Sequence, residues 1–99
     1  MLVLVFLLAL TSPSLSVSPR FASEPATLVA TAKSFSGSVV CVEIDSPEYY
    51  TESCQDREGR SNLQFRFANV PAGAHLLLAR DATRRSSTVE VIVTKAGPE

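Results

Sequence analysis

The sequence predicts an all-β protein: a small antiparallel β-sandwich of five to seven strands that follows an N-terminal signal peptide. Several short segments alternate apolar with polar residues, as half-buried strands do. Glycine, proline, asparagine and serine separate these segments, which is typical of turns between strands. After the leader, no segment shows sustained helical periodicity, so we expect two packed sheets and no helical layer.

The amino terminus has the pattern of a secretory leader. Residues 1–10 form an apolar run, and small or polar residues follow at 11–14. A run of this length is typical of the apolar region of a signal peptide and is too short for a transmembrane helix. We expect a signal peptide at 1–18, with cleavage after Ser16 or Ser18; the alternative is an uncleaved anchor of marginal length.

The rest of the chain is long enough for one small domain. The predicted parts are a flexible leader at 19–25, a β-sandwich domain at 26–95 and a tail at 96–99. No segment after the leader is apolar enough to cross a membrane. The net charge of −1 gives no electrostatic argument for binding nucleic acid or an anionic membrane surface.

Six segments carry the strand pattern. Strands are predicted at 26–32, 39–45, 49–51, 63–67, 75–80 and 88–94. In the clearest, 39–45, Val40, Val42 and Ile44 share one face, and Cys41 lies on the other. Residues 75–80 are nearly all apolar, which is typical of a central strand covered on both faces. The segment 49–51 is predicted to be a short edge strand.

Cys41 and Cys54 are the two cysteines of the chain. A secretory route favours a disulfide between them, which would join the strand at 39–45 to a loop carrying Cys54. Closing a loop of about 14 residues is worth roughly 3 kcal/mol. A redox-active or metal-binding pair would need shorter spacing or more ligands. In a cytosolic form both residues would be free thiols.

Residues 65–73 read Phe-Arg-Phe-Ala-Asn-Val-Pro-Ala-Gly. The string predicts the end of one strand, a tight turn and a second strand that returns beside the first. The in-facing aromatics are Phe65 and Phe67, and the turn residues are Asn69, Pro71 and Gly73.

This string resembles the carboxypeptidase regulatory-like domain family, which has a transthyretin-like (prealbumin-like) β-sandwich fold. In that family an aromatic strand precedes a turn with Pro-x-Gly, which Pro71 and Gly73 match, and His75 stands where the family usually has tyrosine. Residues 37–40 and 56–60 resemble its opening strand and its Asp-x-x-Gly turn.

Residues 91–95 also resemble the final strand of the lumenal β-sandwich in the seventh subunit of the endoplasmic reticulum membrane protein complex. Residues 61–64 are an apparent insertion relative to the family pattern, and 46–55 match nothing in it. Members of these families are folding or docking modules, so the resemblance implies no catalytic residue.

A single histidine and an acidic stretch are the candidates for a catalytic or metal-binding site. His75 is the single histidine, and a catalytic interpretation would make it a general base. No Gly-x-Ser-x-Gly motif accompanies it, and we expect a structural histidine. An acidic stretch suggests calcium as the alternative to a solvated surface, although no calcium-loop pattern is present. Its members are Glu43, Asp45, Glu48, Glu52, Asp56 and Glu58. We expect no cofactor and no metal.

The remaining candidates suggest a partner surface. Arg80, Arg84 and Arg85 form a basic group that could dock an acidic partner or a lipid head group, and Tyr49 and Tyr50 lie in the segment without a family match. We expect a non-enzymatic secreted or lumenal binding or accessory module with a protein partner. The alternatives are a secreted small-molecule carrier, a minor hydrolase using His75, and a soluble protein like the subunit of the endoplasmic reticulum complex.

Overall fold

The computed structural model describes residues 12–96 and confirms the all-β fold class. Eight strands form it: β1 (Ser14–Ser18), β2 (Phe21–Ser23), β3 (Ala26–Lys33), β4 (Val39–Ser46), β5 (Tyr49–Asp56), β6 (Asn62–Val70), β7 (Gly73–Arg80) and β8 (Val89–Thr94). Within this part of the chain no helix is long and apolar enough to cross a membrane.

The strands form two sheets that pack face to face. One has three strands in the order β1-β3-β6, and the other has five in the order β2-β8-β7-β4-β5. Neighbouring strands are antiparallel except β2 and β8, which run parallel. The sheet edges are therefore β1 and β6 on one side of the sandwich core, and β2 and β5 on the other.

The core lies between the two sheets and is built by alternation. β4 contributes Val40, Val42 and Ile44, as predicted, and all three are fully buried. β6 contributes Leu63, Phe65 and Phe67, while the residues between them are exposed. Asn69 then adopts a positive φ of 59°, a conformation that asparagine tolerates better than most residues. This lets the chain turn at Pro71 and return as β7.

The amino-terminal part of the described chain adds two strands to those predicted. β1 pairs with β3 and places Val17, 7% exposed, in the core. β2 pairs with β8 and lies within residues 19–25, which were expected to be a flexible leader. Residues 1–11 and 97–99 lie outside the described residues, so the signal peptide stays a prediction. Cleavage after Ser16 would divide β1, and cleavage after Ser18 would remove it.

β5 is longer than the edge strand predicted at 49–51. It pairs with β4 along its whole length, from Tyr49 opposite Ser46 to Asp56 opposite Val39. The apolar alternation that marks other strands is absent because residues on the inner side of β5 are only half-buried, so polar side chains are tolerated there. Cys54 consequently lies on a strand, directly opposite Cys41, rather than on a loop.

Candidate binding surface

The centre of the five-stranded sheet is apolar on both sides, but only one side is covered. His75, Leu77 and Ala79 of β7 point into the core and are buried. Leu76 and Leu78 point the other way, and Leu76 is 46% exposed. The expectation that β7 would be covered on both faces is therefore wrong for the described chain, because the three-stranded sheet packs against the inner face alone.

We call this uncovered side of the five-stranded sheet the outer face. Strand register places Phe21 beside Ile92, and Leu76 beside both Asp45 and Glu90. Phe21 is 76% exposed. The apolar side chains of the outer face are Phe21, Val39, Tyr50, Ala74, Leu76, Leu78 and Ile92. Next to Leu76 a shallow groove of about 500 Å³ runs from Ala74 to Pro47.

Carboxylates outnumber arginines on and around the outer face. The acidic residues are Glu43, Asp45, Glu52, Asp56 and Glu90, and the basic ones are Arg80 and Arg20. Arg80 forms ion pairs with Glu43, at 3.8 Å, and with Glu52. Arg20 donates from Nε to the Glu90 carbonyl at 3.2 Å. The outer face is thus apolar at its centre and net negative.

Tyr50 belongs to the outer face and contacts the ion-paired group of Glu43, Glu52 and Arg80. Its hydroxyl donates to Glu43 Oε1 at 3.4 Å, and its side chain is 59% exposed. Partial desolvation, together with the charges of Glu43 and Glu52, raises the pKa of Tyr50. The phenol therefore stays neutral and able to donate at any ordinary pH.

The solvent-facing side of the three-stranded sheet differs from the outer face in the polarity of its side chains. Alternation there exposes mainly polar side chains: Ser14, Ser16, Ser18, Thr27, Lys33, Gln64 and Arg66. A polar face of this kind is typical of a sheet side that water covers. The two solvent-facing sides of the sandwich therefore differ. Among the described residues, large exposed apolar side chains occur on the outer face and not on the solvent-facing side of the three-stranded sheet.

The residues proposed as a partner surface from the sequence do not lie together. Arg80 and Tyr50 lie on the outer face, but Tyr49 points inward and packs against the core. Arg84 and Arg85 lie in the loop at 81–88, where Arg84 donates to the Ser34 carbonyl at 2.9 Å. The structure thus distributes these side chains over three places on the molecule.

Cys41 and Cys54 form a disulfide, as predicted from the sequence. The disulfide lies on the outer face. Cys41 is opposite Cys54 on β5 and opposite Arg80 on β7. Within residues 12–96, the one cluster with metal-ligand spacing is Cys41, Glu52 and Cys54. Its two sulfurs are bonded to each other, so this cluster lacks the thiolates that a soft metal binds.

A groove of about 330 Å³ opens at the end of the sandwich where β4 turns into β5 and β6 into β7. Pro47, Tyr49, Pro71 and Ala74 line it, and His75 lies at its base with 1% of its surface exposed. The rings of His75 and Tyr49 meet edge to face, with their centroids 5.7 Å apart.

Both ring nitrogens of His75 have partners. Nδ1 lies 2.9 Å from Ser46 Oγ, and Nε2 lies 2.8 Å from the Pro71 carbonyl oxygen. Ser46 Oγ in turn donates to the Tyr49 carbonyl at 2.7 Å. These contacts tie the β4–β5 turn to the start of β7, which is a structural role for the histidine.

The opposite end of the sandwich is organised by Asp81, which is 8% exposed. Its carboxylate accepts hydrogen bonds from the backbone N–H groups of Gly37, Thr83 and Arg84 at 2.8 to 2.9 Å. Burial alone would raise the pKa of Asp81, but these hydrogen bonds outweigh it and lower the pKa to about 2. Asp81 is therefore ionised at neutral pH and holds two loops together.

Sequence reasoning missed the outer face and the role of Asp81. The apolar run at 75–80 was the signal for the outer face, but it also fits a strand that its own chain covers on both sides. No protein-family model matches the sequence, and a comparison with curated proteins finds no match. The fold and the surface together define an all-β sandwich with one uncovered, partly apolar sheet face.

Proposed function

We propose that the protein is a non-enzymatic secreted or lumenal binding module that docks a partner protein on the outer face of its five-stranded sheet. The observation that carries the proposal is the exposure of Leu76, with Leu78 beside it, on the central strand of the sheet. Exposed apolar groups that cluster and are rimmed by polar residues mark interaction sites. The resemblance of residues 65–73 to a family of docking modules supports the same role.

The charges of the outer face favour a cationic partner. Asp45 and Glu90 flank Leu76, and Arg80 is already paired with Glu43 and Glu52. An acidic partner, which the three arginines suggested, would meet this negative surface at a cost. A partner segment with alternating lysine and apolar residues would match both the charge and the apolar centre.

A defined peptide tests this surface. We would titrate the isotope-labelled protein with a peptide of alternating leucine and lysine and follow amide chemical shifts. We expect shifts centred on Leu76, Leu78 and Tyr50 that weaken as salt rises, because the carboxylates are exposed. Leu76→Asn should reduce the affinity for this peptide. Gln64→Ala, on the solvent-facing side of the three-stranded sheet, should leave the affinity unchanged.

The same titration can overturn the proposal. A peptide of alternating leucine and glutamate should bind no better than background. Equal binding of both peptides, or shifts centred on Gln64 and Arg66, would show that the outer face does not select a cationic partner.

The compartment needs its own measurement. The disulfide and the apolar segment at 1–10 support passage through an oxidising compartment. The full chain with a carboxy-terminal tag can be expressed in secretory cells. We expect tagged protein in the lumen or the medium, with Cys41 and Cys54 joined in a disulfide and therefore unreactive toward a thiol-alkylating reagent. Tagged protein confined to the cytosol with two free thiols would contradict this part of the proposal.

A minor hydrolase is the second candidate, since Ser46 Oγ lies 2.9 Å from His75 Nδ1 beside a groove. A nucleophile and base at this distance meet one geometric requirement of such a site. The hydroxyl, however, donates to the Tyr49 carbonyl, and His75 is buried. Ester hydrolysis that both Ser46→Ala and His75→Ala abolish would favour the hydrolase over the binding module.

A further inference from the structure

β5 is the longer of the two edge strands of the five-stranded sheet. It has eight residues, whereas β2 at the other edge has three. Within residues 12–96, no strand pairs with β5 on the side away from β4. Backbone N–H and C=O groups on such an edge can pair with a strand of another molecule.

The ladder between β4 and β5 determines which backbone groups face this edge. Arg57 N donates to the Ser38 carbonyl at 2.7 Å, so these two residues form a hydrogen-bonded pair. In an antiparallel ladder such pairs alternate with pairs that share no backbone hydrogen bond. Counted along the register, Cys41 and Cys54 form a pair of the second kind. Their Cα atoms lie 3.9 Å apart, in keeping with the closer spacing of such pairs.

Alternate residues of β5 therefore direct their backbone N–H and C=O groups away from β4. These residues are Tyr50, Glu52, Cys54 and Asp56. Arg60 Nη2 donates to the Asp56 carbonyl at 3.0 Å, in agreement with this direction, and closes that end of the edge. We call the backbone groups of Tyr50, Glu52 and Cys54 the open edge.

The side chains beside the open edge make it acidic. On the outer face, β4 and β5 carry Glu43, Asp45, Glu52 and Asp56, and Arg80 can balance only one of these four charges. A second copy of β5 paired here would bring the carboxylates of both copies onto one face, where opposed like charges destabilise a sheet. A strand with lysine at alternate positions would instead place its amino groups beside Glu52 and Asp56. The charges thus oppose self-association and favour a cationic strand.

β6, the long edge strand of the other sheet, is a poorer site for an added strand. Gln55 Nε2 donates to the Gln64 carbonyl at 2.5 Å, so a backbone acceptor on that edge is already occupied. The exposed side chains at its centre are Gln64 and Arg66, which carry no negative charge. A cationic strand therefore gains more at β5 than at β6.

We propose that β5 accepts an extended cationic segment of the partner as an added antiparallel strand, with the lysines of that segment on the outer face. Antiparallel pairing is slightly more stable per residue than parallel pairing. Main-chain hydrogen bonds to the open edge give the affinity, and the carboxylates select the segment. The inference rests on the proposed function for the charge of the partner, but it places this segment at the sheet edge and not over Leu76.

Backbone methylation of the peptide of alternating leucine and lysine tests the pairing. In an antiparallel pair, residues opposite the open edge share the outer face with it, so the lysines direct their N–H groups toward β5 and the leucines direct theirs away. Methylation of the lysine backbone nitrogens should lower the affinity about tenfold or more, because several hydrogen bonds are lost. Methylation of the leucine nitrogens is the matched control and should change it little. The titration uses Leu76→Asn, which weakens binding over the outer face.

Hydrogen exchange of the backbone amides locates the contact. In the free protein, we expect the amides of Glu52 and Cys54 to exchange faster than those of Thr51 and Ser53, which bond to β4. Bound peptide should slow exchange at Glu52 and Cys54 and leave Thr51 and Ser53 as they were. This alternation is the signature of a strand added at the open edge.

Two substitutions at Glu52 separate the backbone from the charge. Glu52→Pro removes an N–H group of the open edge without removing a hydrogen bond to β4, and proline is tolerated at such edge positions. Glu52→Gln removes the same charge and keeps the N–H group. We expect Glu52→Pro to bind the peptide more weakly than Glu52→Gln does.

The outcomes distinguish the edge from the outer face. Equal affinities of the two methylated peptides, or unchanged exchange at Glu52 and Cys54 with peptide bound, would overturn the edge proposal and leave docking over Leu76 intact. Slowed exchange at the open edge without chemical shift changes at Leu76 in the unaltered protein would support the edge and overturn that docking. A peptide that binds at neither place would overturn both. The peptide measurements decide the matter even where Glu52→Pro fails to fold.

Discussion

Asp81 Oδ2 accepts a hydrogen bond from the backbone N–H of Gly37 at 2.9 Å, although 44 residues separate the two along the chain. The other carboxylate oxygen bonds the N–H groups of Thr83 and Arg84 within its own loop. One buried carboxylate thus joins the β3–β4 loop to the β7–β8 loop.

Asp81→Asn should destabilise the protein by about 2 kcal/mol, the usual cost of leaving a buried hydrogen-bonding group without its partner. The amide removes the negative charge and turns one acceptor into a donor, which would face a backbone N–H. Chemical denaturation at pH 7 measures the difference in the free energy of unfolding. Asp45→Asn, on the exposed outer face, is the control and should change stability little. Equal effects of the two substitutions would contradict the role given to Asp81.

Asp81 should also make the fold sensitive to acid. Its folded-state pKa of about 2 lies below its usual value of 3.8, so the folded form binds this proton more weakly than the unfolded form. The contribution is complete above about pH 4 and is lost as pH falls toward 2. Between pH 5 and 2, the unaltered protein should therefore lose more stability than Asp81→Asn. Parallel curves for the two proteins would show that another group causes the loss.

Gly37→Ala should destabilise the same end of the sandwich by about 1 to 3 kcal/mol. A Cβ atom at residue 37 would lie 2.9 Å from Asp81 Cβ and 3.0 Å from Oδ2, so the two loops would have to separate. Thermal unfolding compares this variant with Ser36→Ala, whose side chain is exposed. A stability of Gly37→Ala equal to that of the control would mean that the loops adjust freely.

Replacement of both cysteines by serine should lower stability by about 3 kcal/mol, because the bridge closes a loop with a sequence separation of 13. Reductant should have the same effect on the unaltered protein and none on the variant. Denaturant curves with and without reductant provide the measurement. An unaltered protein that is equally stable in both conditions would refute the predicted contribution.

Removal of β1 should weaken the domain. A chain that starts at Pro19 loses the strand that pairs with β3 and the burial of Val17, worth about 1.5 to 3 kcal/mol by its side chain alone. A chain that starts at Ser12 keeps both. Unfolding of the two purified forms compares them, and Val17→Ser in the longer form tests the side chain separately. Equal stabilities would show that β1 is dispensable and that cleavage after Ser18 leaves an intact domain.

Sequence patterns predicted the parts of the fold in which burial alternates strongly. β4 and β6 were placed correctly because Val40, Val42, Ile44, Phe65 and Phe67 alternate with exposed residues. The strands β1 and β2 were missed because serine and proline dominate that region and only Val17 is buried there. The length of β5 was missed because its inner side is polar.

The candidate surface was harder to predict than the fold. An apolar strand such as β7 looks the same whether its own chain or another molecule covers its second face. The arginines of residues 80–85 gave a charge pattern, but that pattern could not show that Arg80 would turn toward Glu43 and Glu52. The environment of His75 depends on Ser46 and Pro71, which only the folded chain brings together.

The parallel pairing of β2 with β8 also limits when the five-stranded sheet can be completed. Phe21 lies opposite Ile92, and the hydroxyls of Ser23 and Thr94 meet across a separation of 71 residues. β2 therefore cannot complete its sheet until β8 has been synthesised. Pairings this distant in sequence slow folding, typically to milliseconds or longer. The five-stranded sheet of the nascent chain consequently lacks its β2–β8 pairing during synthesis. This pairing can form only after residue 94 has been synthesised.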